Sequence, residues 1–311
     1  MPLPSSEPED IHPDFDATVT ICSWNDRDDL RVCLQSLRDI AGEANFEVIV
    51  VDNNSGDASG DLVAAEFPEF ELIRATRNLG FTAGHDRAMK QMKGKHWFCL
   101  NSDTIVHPGA IRTLINYLEA NENCAIAAPK LLNTDGSLQF SVRHFPNPVA
   151  AAFRNTWLGK LFPNVRAVRE YLMQDASHDE VIHADWVSGA AFMMSRRAID
   201  RVGGFDLSYF MFCEDVDLCW RCHEAGMTVD YVPTAQVTHH IGRATDQAPN
   251  RMIGAFHASM FRFYRTQMVR RSPLLARPFL IALAAVGLFV RAGGFVLQNR
   301  IHKWRRAWTK S

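Results

Sequence analysis

Three carboxylates lie within four residues of the segment FMFCEDVDLCWR, which spans positions 210–221. Glu214, Asp215 and Asp217 have aromatic residues on both sides, and apolar surroundings raise the pKa of a carboxyl group. With this spacing, one carboxylate can act as a general base while another holds the base or an acceptor molecule. The same acids also suit the first turn of a helix, where they offset the helix dipole. The segment therefore predicts a helix start, a catalytic centre, or both.

A second acid, Asp103, closes the apolar run HWFCLNSD directly after Asn101 and Ser102. A carboxylate at a strand end can bind a hard cation such as Mg²⁺ or Mn²⁺, which can bridge the phosphates of a nucleotide. The triplet also fits a turn, because Asn, Ser and Asp all favour turns. His239 and His240 in VTHHIG would complement such a metal site, although a lone histidine is more often structural.

Asp52, in the segment VVDNNSGD, has two interpretations. A strand-end aspartate can accept a hydrogen bond from the N3–H group of a uracil or thymine ring. It can equally cap the helix that is predicted to begin near Ser59. Both interpretations stay open at this point.

The elements that would position these residues alternate between strand and helix. Apolar and β-branched runs predict strands at residues 17–24, 46–53, 70–76, 96–103 and 228–240. Helical spacing of apolar residues predicts helices at residues 28–40, 61–67 and 84–93. The run FEVIVVDN is apolar on both faces, as in a buried parallel sheet. The alternation predicts an α/β fold with an open, largely parallel central sheet flanked by helices.

Ligands of such sheets bind at the carboxyl ends of the strands. Four polar clusters lie at those ends: Asn25-Asp26, Asp52-Asn53-Asn54, Arg77-Asn78 and Asn101-Ser102-Asp103. The first strand is followed by no G-x-G-x-x-G motif, and the sequence has no G-x-x-x-x-G-K-[ST] motif. This argues against dinucleotide oxidoreductases and P-loop NTPases. The sheet is therefore predicted to hold its ligand with side-chain carboxylates and amides.

The charge of the chain is unevenly distributed. The 311 residues are 47% hydrophobic and 22% charged, which suits a globular core, and the net charge is −2. Asp246 is the last acidic residue; 12 of the 33 Lys and Arg follow it, so 21 basic residues stand against 35 acidic ones before it. A tail of +12 on a body of −14 predicts an anionic partner, either lipid or nucleic acid.

Two further features indicate the cellular compartment in which the protein is located. Residues 1–16 are rich in Pro, Ser and acids and lack the basic and apolar regions of a signal peptide, so we expect a flexible lead-in. The seven cysteines are odd in number and scattered, which fits a reducing compartment better than a disulfide framework. Together these features predict a cytoplasmic protein.

The basic tail contains an uncharged run of 13 residues, PFLIALAAVGLFV, between Arg277 and Arg291. The run is too short to span a bilayer alone, and extending it brings in Arg291, at a cost of about 2.5–3.5 kcal/mol at the bilayer centre. At about 100° per residue the two arginines share a helix face. With Trp304 and Trp308 among basic residues, this pattern predicts a helical anchor on an anionic membrane surface. A helix packed on the protein's own body is the alternative.

Seven segments follow one another with suitable spacing: VTICSWN, VVDNNSGD, RNLGFTAG, LNSDT, WVSGAAFMM, GGFDLSYFMFCEDVDLCWR and VTHHIG. In this order they resemble the family 2 glycosyltransferases with a GT-A fold, and most closely the bacterial rhamnosyltransferases that build O-antigen or cell-wall polysaccharide. The resemblance covers about residues 18–265. It implies a Rossmann-like GT-A domain at residues 17–265, followed by the membrane-surface tail at residues 266–311.

The resemblance implies roles for the residues that surround an acceptor. Asp215 would be the catalytic base. Glu214 and Asp217 would support the base or hold the acceptor. Trp186 and Gly189 would form part of the acceptor wall.

The resemblance also implies a donor and metal site. Asp103 and His239 would bind Mg²⁺ or Mn²⁺, with His240 as the alternative to His239. Asn101 stands where the D-x-D element of the family has its first Asp, and Asp86 stands where an Asn is usual, so two contacts depart from the family pattern. The residues implied to bind the nucleotide sugar are Asn25, Asp52, Asn54, Asn78, Gly80, Gly84, Asn101 and Ser102.

The implied reaction is an inverting, metal-dependent transfer of a sugar, with rhamnose from dTDP-rhamnose as the best assignment. The implied acceptor is a polyprenyl-diphosphate-linked or other glycan, used in cell-surface polysaccharide synthesis at the inner face of the cell membrane. The same fold with a UDP-hexose or another donor is the first alternative. A nucleic-acid-binding protein is a remote alternative, because the tail lacks a nucleic-acid motif and its centre is apolar. An inactive scaffold is another, since Asn101 weakens the metal site.

Overall fold

The computed structural model describes residues 14–147, 164–240 and 249–308, together with residues 150, 153, 154, 159, 161 and 162. At residues 249, 251 and 297–308 it describes the backbone alone. Most of the predicted lead-in, residues 1–13, lies outside the described residues, and so do the side chains of Trp304 and Trp308.

A central sheet forms the body of the protein. Its strand order is β3-β2-β1-β4-β10-β6-β11-β5, with β8 paired to β11, which makes nine strands in the described part of the chain. The strands are β1 (Phe15–Ser23), β2 (Phe46–Asp52), β3 (Glu71–Arg74), β4 (Gly94–Asn101), β5 (Thr104–Val106), β6 (Cys124–Leu132), β7 (Val142–Arg143), β8 (Ile182–His183), β9 (Trp186–Val187), β10 (Ala191–Met194) and β11 (Thr228–His239).

Helices flank this sheet. They are α1 (Arg27–Asp39), α2 (Ser59–Glu66), α3 (Phe81–Met89), α4 (Ala110–Ala120), α5 (Arg166–Tyr171), α6 (Arg196–Val202), α7 (Glu214–Glu224), α8 (Pro249–Phe263) and α9 (Arg277–Trp308). A π-helical turn (Tyr264–Met268) and two 3₁₀ turns (Val269–Arg271 and Leu274–Ala276) connect α8 to α9. The predicted strands and helices are confirmed, and their ends differ from the predictions by at most four residues.

The first four strands are parallel, and their carboxyl ends meet at one edge of the sheet. Ser23 at the end of β1 is in register with Asp52 at the end of β2, and Cys22 is in register with Asn101 at the end of β4. Strand β10 then pairs antiparallel with β4 and β6. The prediction of a largely parallel α/β sheet is confirmed, and its polar strand ends lie together.

The core lies on both faces of the sheet. On one face, α1 buries Leu30, Cys33, Leu34 and Leu37, all with no exposed surface, which confirms its predicted apolar stripe. On the other face, α7 packs with β9 and β10 through apolar residues that include Trp220 and Phe192.

A small second sheet stands beside α7. Strands β7 and β9 pair antiparallel, with Arg143 opposite Trp186. The pairing therefore places a cationic side chain and an indole next to the start of α7.

Helix α9 exposes a row of apolar side chains. Phe279, Leu283, Val286, Phe289 and Val290 each expose more than half of their surface. The segment Leu274–Val296 is long and apolar enough to cross a membrane by length and composition, and none of its most apolar 18-residue window is buried. Its apolar side chains are thus available to an external partner.

Candidate active site

Asp215 lies in the first turn of α7 and is held there by two main-chain groups. The N–H of Gly189 donates to Oδ2 at 3.0 Å, and the N–H of Val216 donates to Oδ1 at 2.8 Å. Hydrogen bonds from N–H groups favour the ionised carboxylate. Gly189 thus contacts Asp215 through its backbone, in the loop that follows Trp186.

The chain enters α7 through two residues with left-handed backbone conformations. Phe212 has φ 69° and Cys213 has φ 62°. Such conformations cost non-glycine residues of order 1–3 kcal/mol each and cluster at functional sites. They turn the chain sharply, so that Glu214 and Asp215 begin the helix directly beside the β7–β9 sheet.

Two adjacent carboxyl groups share this helix start but differ in their surroundings. Burial raises the pKa of Glu214 well above its usual range, and the neighbouring Asp215 raises it further. Burial also raises the pKa of Asp215, but the Gly189 and Val216 N–H groups and Arg143 oppose that rise. Glu214 therefore retains its proton more strongly, and Asp215 is the carboxylate that ionises first.

A cavity of about 220 Å³ opens beside this pair. Its wall includes Trp186, whose Nε1–H donates to the His144 carbonyl at 2.8 Å, and Arg143, whose guanidinium lies 4.7 Å from the centre of the Trp186 ring. The lining residues come from β7, β9, α5, α7, α8, α9 and the segments between them. The predicted acceptor-wall residue Trp186 and the predicted base thus face the same space.

Asp217, the third acid of the segment, is turned elsewhere. It is 1% exposed, and its Oδ2 accepts from Nε of Arg221 at 2.9 Å. Its Oδ1 accepts from Nε2 of Gln267 at 2.8 Å. Arg221 in turn donates to the carbonyls of Val202 and Gly204. These contacts suit a residue that fixes α7, and Asp217 does not line the cavity.

Asp52 lies at the carboxyl edge of the sheet and is 7% exposed. Its Oδ1 accepts from the N–H of Ser55 at 3.0 Å, and a Cβ on Gly60 would lie 2.5 Å from its Oδ2. Asp57 instead binds the N-terminus of α2, because its Oδ1 accepts a hydrogen bond from the N–H of Ser59 at 3.1 Å. The helix-capping alternative for Asp52 is therefore wrong.

Asn53, which sequence analysis did not single out, organises the neighbouring loop. Its Oδ1 accepts from the N–H of Leu79 at 2.8 Å, and its Nδ2 donates to the Gly80 carbonyl and to Oδ1 of Asn78. Gly80 has φ 86°, and a Cβ there would lie 2.5 Å from the Phe210 carbonyl. The predicted donor residues Asn78 and Gly80 thus pack against the segment that leads into α7.

The remaining predicted donor residues lie close to this edge. Asn25 (φ 55°) accepts from the N–H of Gly56 at 2.6 Å, and Asn54 (φ 63°) is exposed. A Cβ on Gly84 would lie 2.3 Å from Sγ of Cys22, so only glycine allows α3 to approach β1 this closely. Ser102 donates through its hydroxyl to Oδ2 of Asp26. These residues lie near the carboxyl ends of the parallel strands, and this edge of the sheet is the candidate donor groove.

Asp103 and His239 meet at this edge. Oδ1 of Asp103 lies 3.3 Å from Nε2 of His239, and each side chain is 12% exposed. Nε2 of Gln139 donates to Asn133 and to the His239 carbonyl, so its Oε1 faces Nδ1 of His239 at 2.8 Å and accepts a hydrogen bond from it. Nε2 of a neutral His239 then accepts from Nδ2 of Asn101 at 3.3 Å, with the carboxylate of Asp103 equally near.

A divalent cation at this point would replace the Asn101 contact and take Nε2 of His239 and a carboxylate oxygen of Asp103 as ligands. Carboxylate and imidazole are ligands of Mn²⁺-type sites, and an acceptor for the far ring N–H, here Gln139, is the usual support for a ligating histidine. The described residues hold no cluster of three or more His, Cys, Asp or Glu at metal-binding distance. Asp103 and His239 therefore fit a cation that takes its other ligands from a bound nucleotide.

The alternative histidine and a nearby acid have different contacts. Nδ1 of His240 lies 3.5 Å from Oδ1 of Asp29, and the His240 side chain is 40% exposed. Asp26, which sequence analysis noted only as part of a polar cluster, accepts from the hydroxyls of Ser23 and Ser102. Burial raises the pKa of Asp26, and the two hydroxyls oppose this rise.

The chain is similar to known proteins over most of its length. Residues 13–271 match the family described as "Glycosyltransferase like family 2". N-acetylglucosaminyl-diphospho-decaprenol L-rhamnosyltransferase of Mycobacterium tuberculosis is 29% identical over 235 residues, which cover 72% of this chain and 76% of that protein. Rhamnosyltransferase WbbL of Escherichia coli K12 is 25% identical over 230 residues, which cover 71% of this chain and 82% of that protein.

A solved structure shares the fold. The mannosyltransferase PcManGT of Pyrobaculum calidifontis, in complex with GDP-Man and Mn²⁺, aligns over 98% of this chain and 87% of its own with a TM-score of 0.55 and 15% identity. The expected GT-A fold is confirmed at this level.

Proposed function

The chain belongs to glycosyltransferase family 2, and we propose that it is an inverting, metal-dependent member that transfers rhamnose from dTDP-rhamnose to a lipid-linked glycan. Both the family assignment and the resemblance to rhamnosyltransferases are confirmed by the matches to known proteins. The protein is therefore a glycosyltransferase. The donor, the acceptor, the stereochemistry and the metal are the proposed refinements.

The observation that carries the mechanism is the pairing of Asp215 with two N–H donors at the edge of the cavity. Asp215, whose carboxylate these N–H groups stabilise, would take the proton from the acceptor hydroxyl. The freed oxygen attacks the anomeric carbon from the face opposite the nucleotide diphosphate, whose bond to that carbon breaks. One displacement of this kind inverts the configuration.

The donor side of the reaction would use the groove at the strand ends. Asp52 is placed to accept from the nucleotide base, and Asn78 and Gly80 form the loop against which the sugar diphosphate would lie. A divalent cation held by Asp103 and His239 would offset the charge that grows on the departing diphosphate. Because Nδ1 of His239 donates to Gln139, the imidazole would bind that ion through Nε2.

Rhamnose is proposed because the relatives named above are rhamnosyltransferases, and one of them names a diphospho-decaprenol substrate. A polyprenyl-diphosphate acceptor lies in a membrane, and helix α9 offers the exposed apolar face that such a location requires. We place the protein in the cytoplasm, on the inner face of the cell membrane. The basic residues that follow Asp246 would face anionic lipid headgroups.

A panel of nucleotide sugars tests the proposed donor. The purified protein is incubated with Mn²⁺, a lipid-linked GlcNAc acceptor and, in turn, dTDP-rhamnose, UDP-glucose, UDP-galactose and GDP-mannose, and release of nucleoside diphosphate is measured. We expect acceptor-dependent release from dTDP-rhamnose alone. Turnover of UDP-sugars alone would replace the rhamnose assignment with a UDP-hexose donor on the same fold.

A further inference from the structure

Three arginines line the cavity beside Asp215, and they come from distant parts of the chain. Arg143 is on β7, Arg154 lies between β7 and α5, and Arg291 is on α9. The described lining contains two carboxyl groups, Asp215 and the more weakly acidic Glu214. The described lining of the cavity thus holds three guanidinium groups and two carboxyl groups.

None of the three guanidinium groups forms an ion pair with a carboxylate in the described part of the chain, although the charges of Arg143 and Asp215 interact. Arg143 donates to the Phe140 carbonyl, Arg154 to the Tyr171 hydroxyl and Arg291 to the Arg154 carbonyl. Nε of Arg143 and Nε of Arg291 are buried without a hydrogen-bond partner. Burial and the charge of Arg154 both lower the pKa of Arg143 and of Arg291. Buried cations with free donors are costly unless an anion joins them.

The chemistry of the cavity matches a phosphate ligand. Guanidinium groups present several N–H donors in a plane and bind phosphate oxygens two at a time. The cavity of about 220 Å³ has room for several water molecules, and therefore for a diphosphate group. Phe212, Phe256 and Met260 add apolar surface to the same wall.

Arg291 connects this cavity to the exposed face of α9. At about 100° per residue, Arg291 is turned 140° from Val286, which lies in the row of exposed apolar side chains. The helix therefore presents apolar side chains outward and a cation into the cavity. A ligand with a charged head and a hydrocarbon chain could contact both faces at once.

We propose that Arg143, Arg154 and Arg291 bind the diphosphate of the lipid-linked acceptor, with its first sugar beside Asp215 and its hydrocarbon chain along α9. This assignment rests on the proposed function, because it names the acceptor class of the same site. The donor diphosphate binds elsewhere, in the strand-end groove near Asp103. The cavity thus selects acceptors that carry a diphosphate between sugar and lipid.

Equilibrium binding of farnesyl diphosphate, a short soluble polyprenyl diphosphate, tests the assignment. Its Kd is measured for the full-length protein and for the single variants Arg154→Gln and Arg291→Gln, with dTDP as a second ligand. Arg166→Gln is the control, because Arg166 is an exposed arginine that pairs with Glu170 on α5. Arg154→Lys keeps the charge and shows whether any loss comes from disturbed folding.

We expect Arg154→Gln and Arg291→Gln to raise the Kd for farnesyl diphosphate about 10-fold to 100-fold, as befits the loss of charged hydrogen bonds. Arg166→Gln should leave the Kd unchanged, Arg154→Lys should recover part of the loss, and the Kd for dTDP should stay unchanged throughout. Unchanged farnesyl diphosphate binding in both Gln variants would overturn the assignment. An equal loss of dTDP binding would also overturn it, because the cavity would then hold the donor diphosphate.

Two further experiments distinguish the acceptor diphosphate from phospholipid headgroups and test the proposed function separately. Vesicles of phosphatidylglycerol without farnesyl diphosphate should bind the wild type and both Gln variants alike; a matching loss in the variants would reassign the arginines to phospholipid headgroups. Arginine-dependent binding of farnesyl diphosphate without turnover of any nucleotide sugar would support the cavity and contradict the proposed function. Turnover with dTDP-rhamnose, together with an unchanged KM for a diphosphate acceptor in both Gln variants, would support the proposed function. The same result would contradict the assignment of the arginines to the acceptor diphosphate.

Discussion

The N–H of Gly189 lies 3.0 Å from Oδ2 of Asp215, so the loop between β9 and β10 holds the candidate base. The next residue, Ala190, accepts from the N–H of Asn101 at 2.8 Å, and Asn101 is two residues from Asp103. One short loop therefore connects the base to the candidate metal ligand. This connection fixes the acceptor side and the donor side of the site relative to each other.

Replacing Arg143 with Gln should move the acidic limb of the pH profile to higher pH. Asp215 must be ionised to act as a base, and its pKa is raised by burial and lowered by Arg143. Removing the arginine charge raises the pKa further, so kcat/KM falls at a higher pH as the medium is acidified. Profiles of kcat/KM are measured for wild type, Arg143→Gln and the control Arg166→Gln. An acidic limb that stays in place or moves to lower pH would refute the role of Arg143.

Glu214→Gln should flatten the dependence of stability on pH. The pKa of Glu214 is raised in the folded state, so folding takes up a proton between its ordinary value of about 4.3 and the raised value. Stability from this group is complete below that window and falls by about 1.4 kcal/mol per pH unit as the pH rises through it. Denaturant unfolding of wild type and Glu214→Gln at several pH values measures the slope. An identical slope in both proteins would show that Glu214 ionises normally.

Gln139→Ala should weaken the response to Mn²⁺ without removing a metal ligand. Gln139 fixes the tautomer of His239, and loss of such a support typically costs about 10-fold to 100-fold in metal affinity. The Mn²⁺ concentration for half-maximal transfer is measured after EDTA treatment, beside His239→Gln, which should show a larger loss. His240→Gln is the matched control and should resemble wild type. A stronger effect of His240→Gln than of His239→Gln would assign the metal to His240.

Replacing Phe279, Val286 and Val290 together with Asp should abolish most binding of the protein to lipid vesicles. These exposed side chains lie on one face of α9, and each contributes about 1.5–3 kcal/mol when fully buried. Sedimentation with vesicles that contain phosphatidylglycerol measures the partition, with Val181→Asp as a control at an exposed apolar site on the body. Unchanged vesicle binding together with a lower unfolding temperature would instead indicate that α9 packs on a protein surface.

Much of the fold follows from local patterns in the sequence. Strands β1, β2 and β4 are apolar runs that end in polar residues, and helix α1 carries its apolar residues at helical spacing, so each is recognisable in isolation. The parallel register then places Asp52 and Asn101 at one edge by necessity. The acids of α7 are also recognisable from the sequence, because they lie close together in the chain.

Other parts of the site depend on contacts between distant residues. Arg143, Arg154 and Arg291 meet only through the tertiary structure, and in the sequence each is one arginine among many. Gln139 reaches His239 across 100 residues, for which no local signal exists. The left-handed conformation of Phe212 and Cys213 is also hidden, because neither residue type favours it.

The central claim is that Asp215 removes the proton from the acceptor, and Asp215→Asn tests it most directly. Asparagine keeps the shape of the side chain and removes the base, so we expect kcat for sugar transfer to fall by about 10²-fold to 10⁴-fold while the Kd for the nucleoside diphosphate stays unchanged. The measurement is sugar transfer under saturating donor and Mn²⁺, with nucleotide binding determined on the same preparation. Transfer by Asp215→Asn at the wild-type rate would contradict the account.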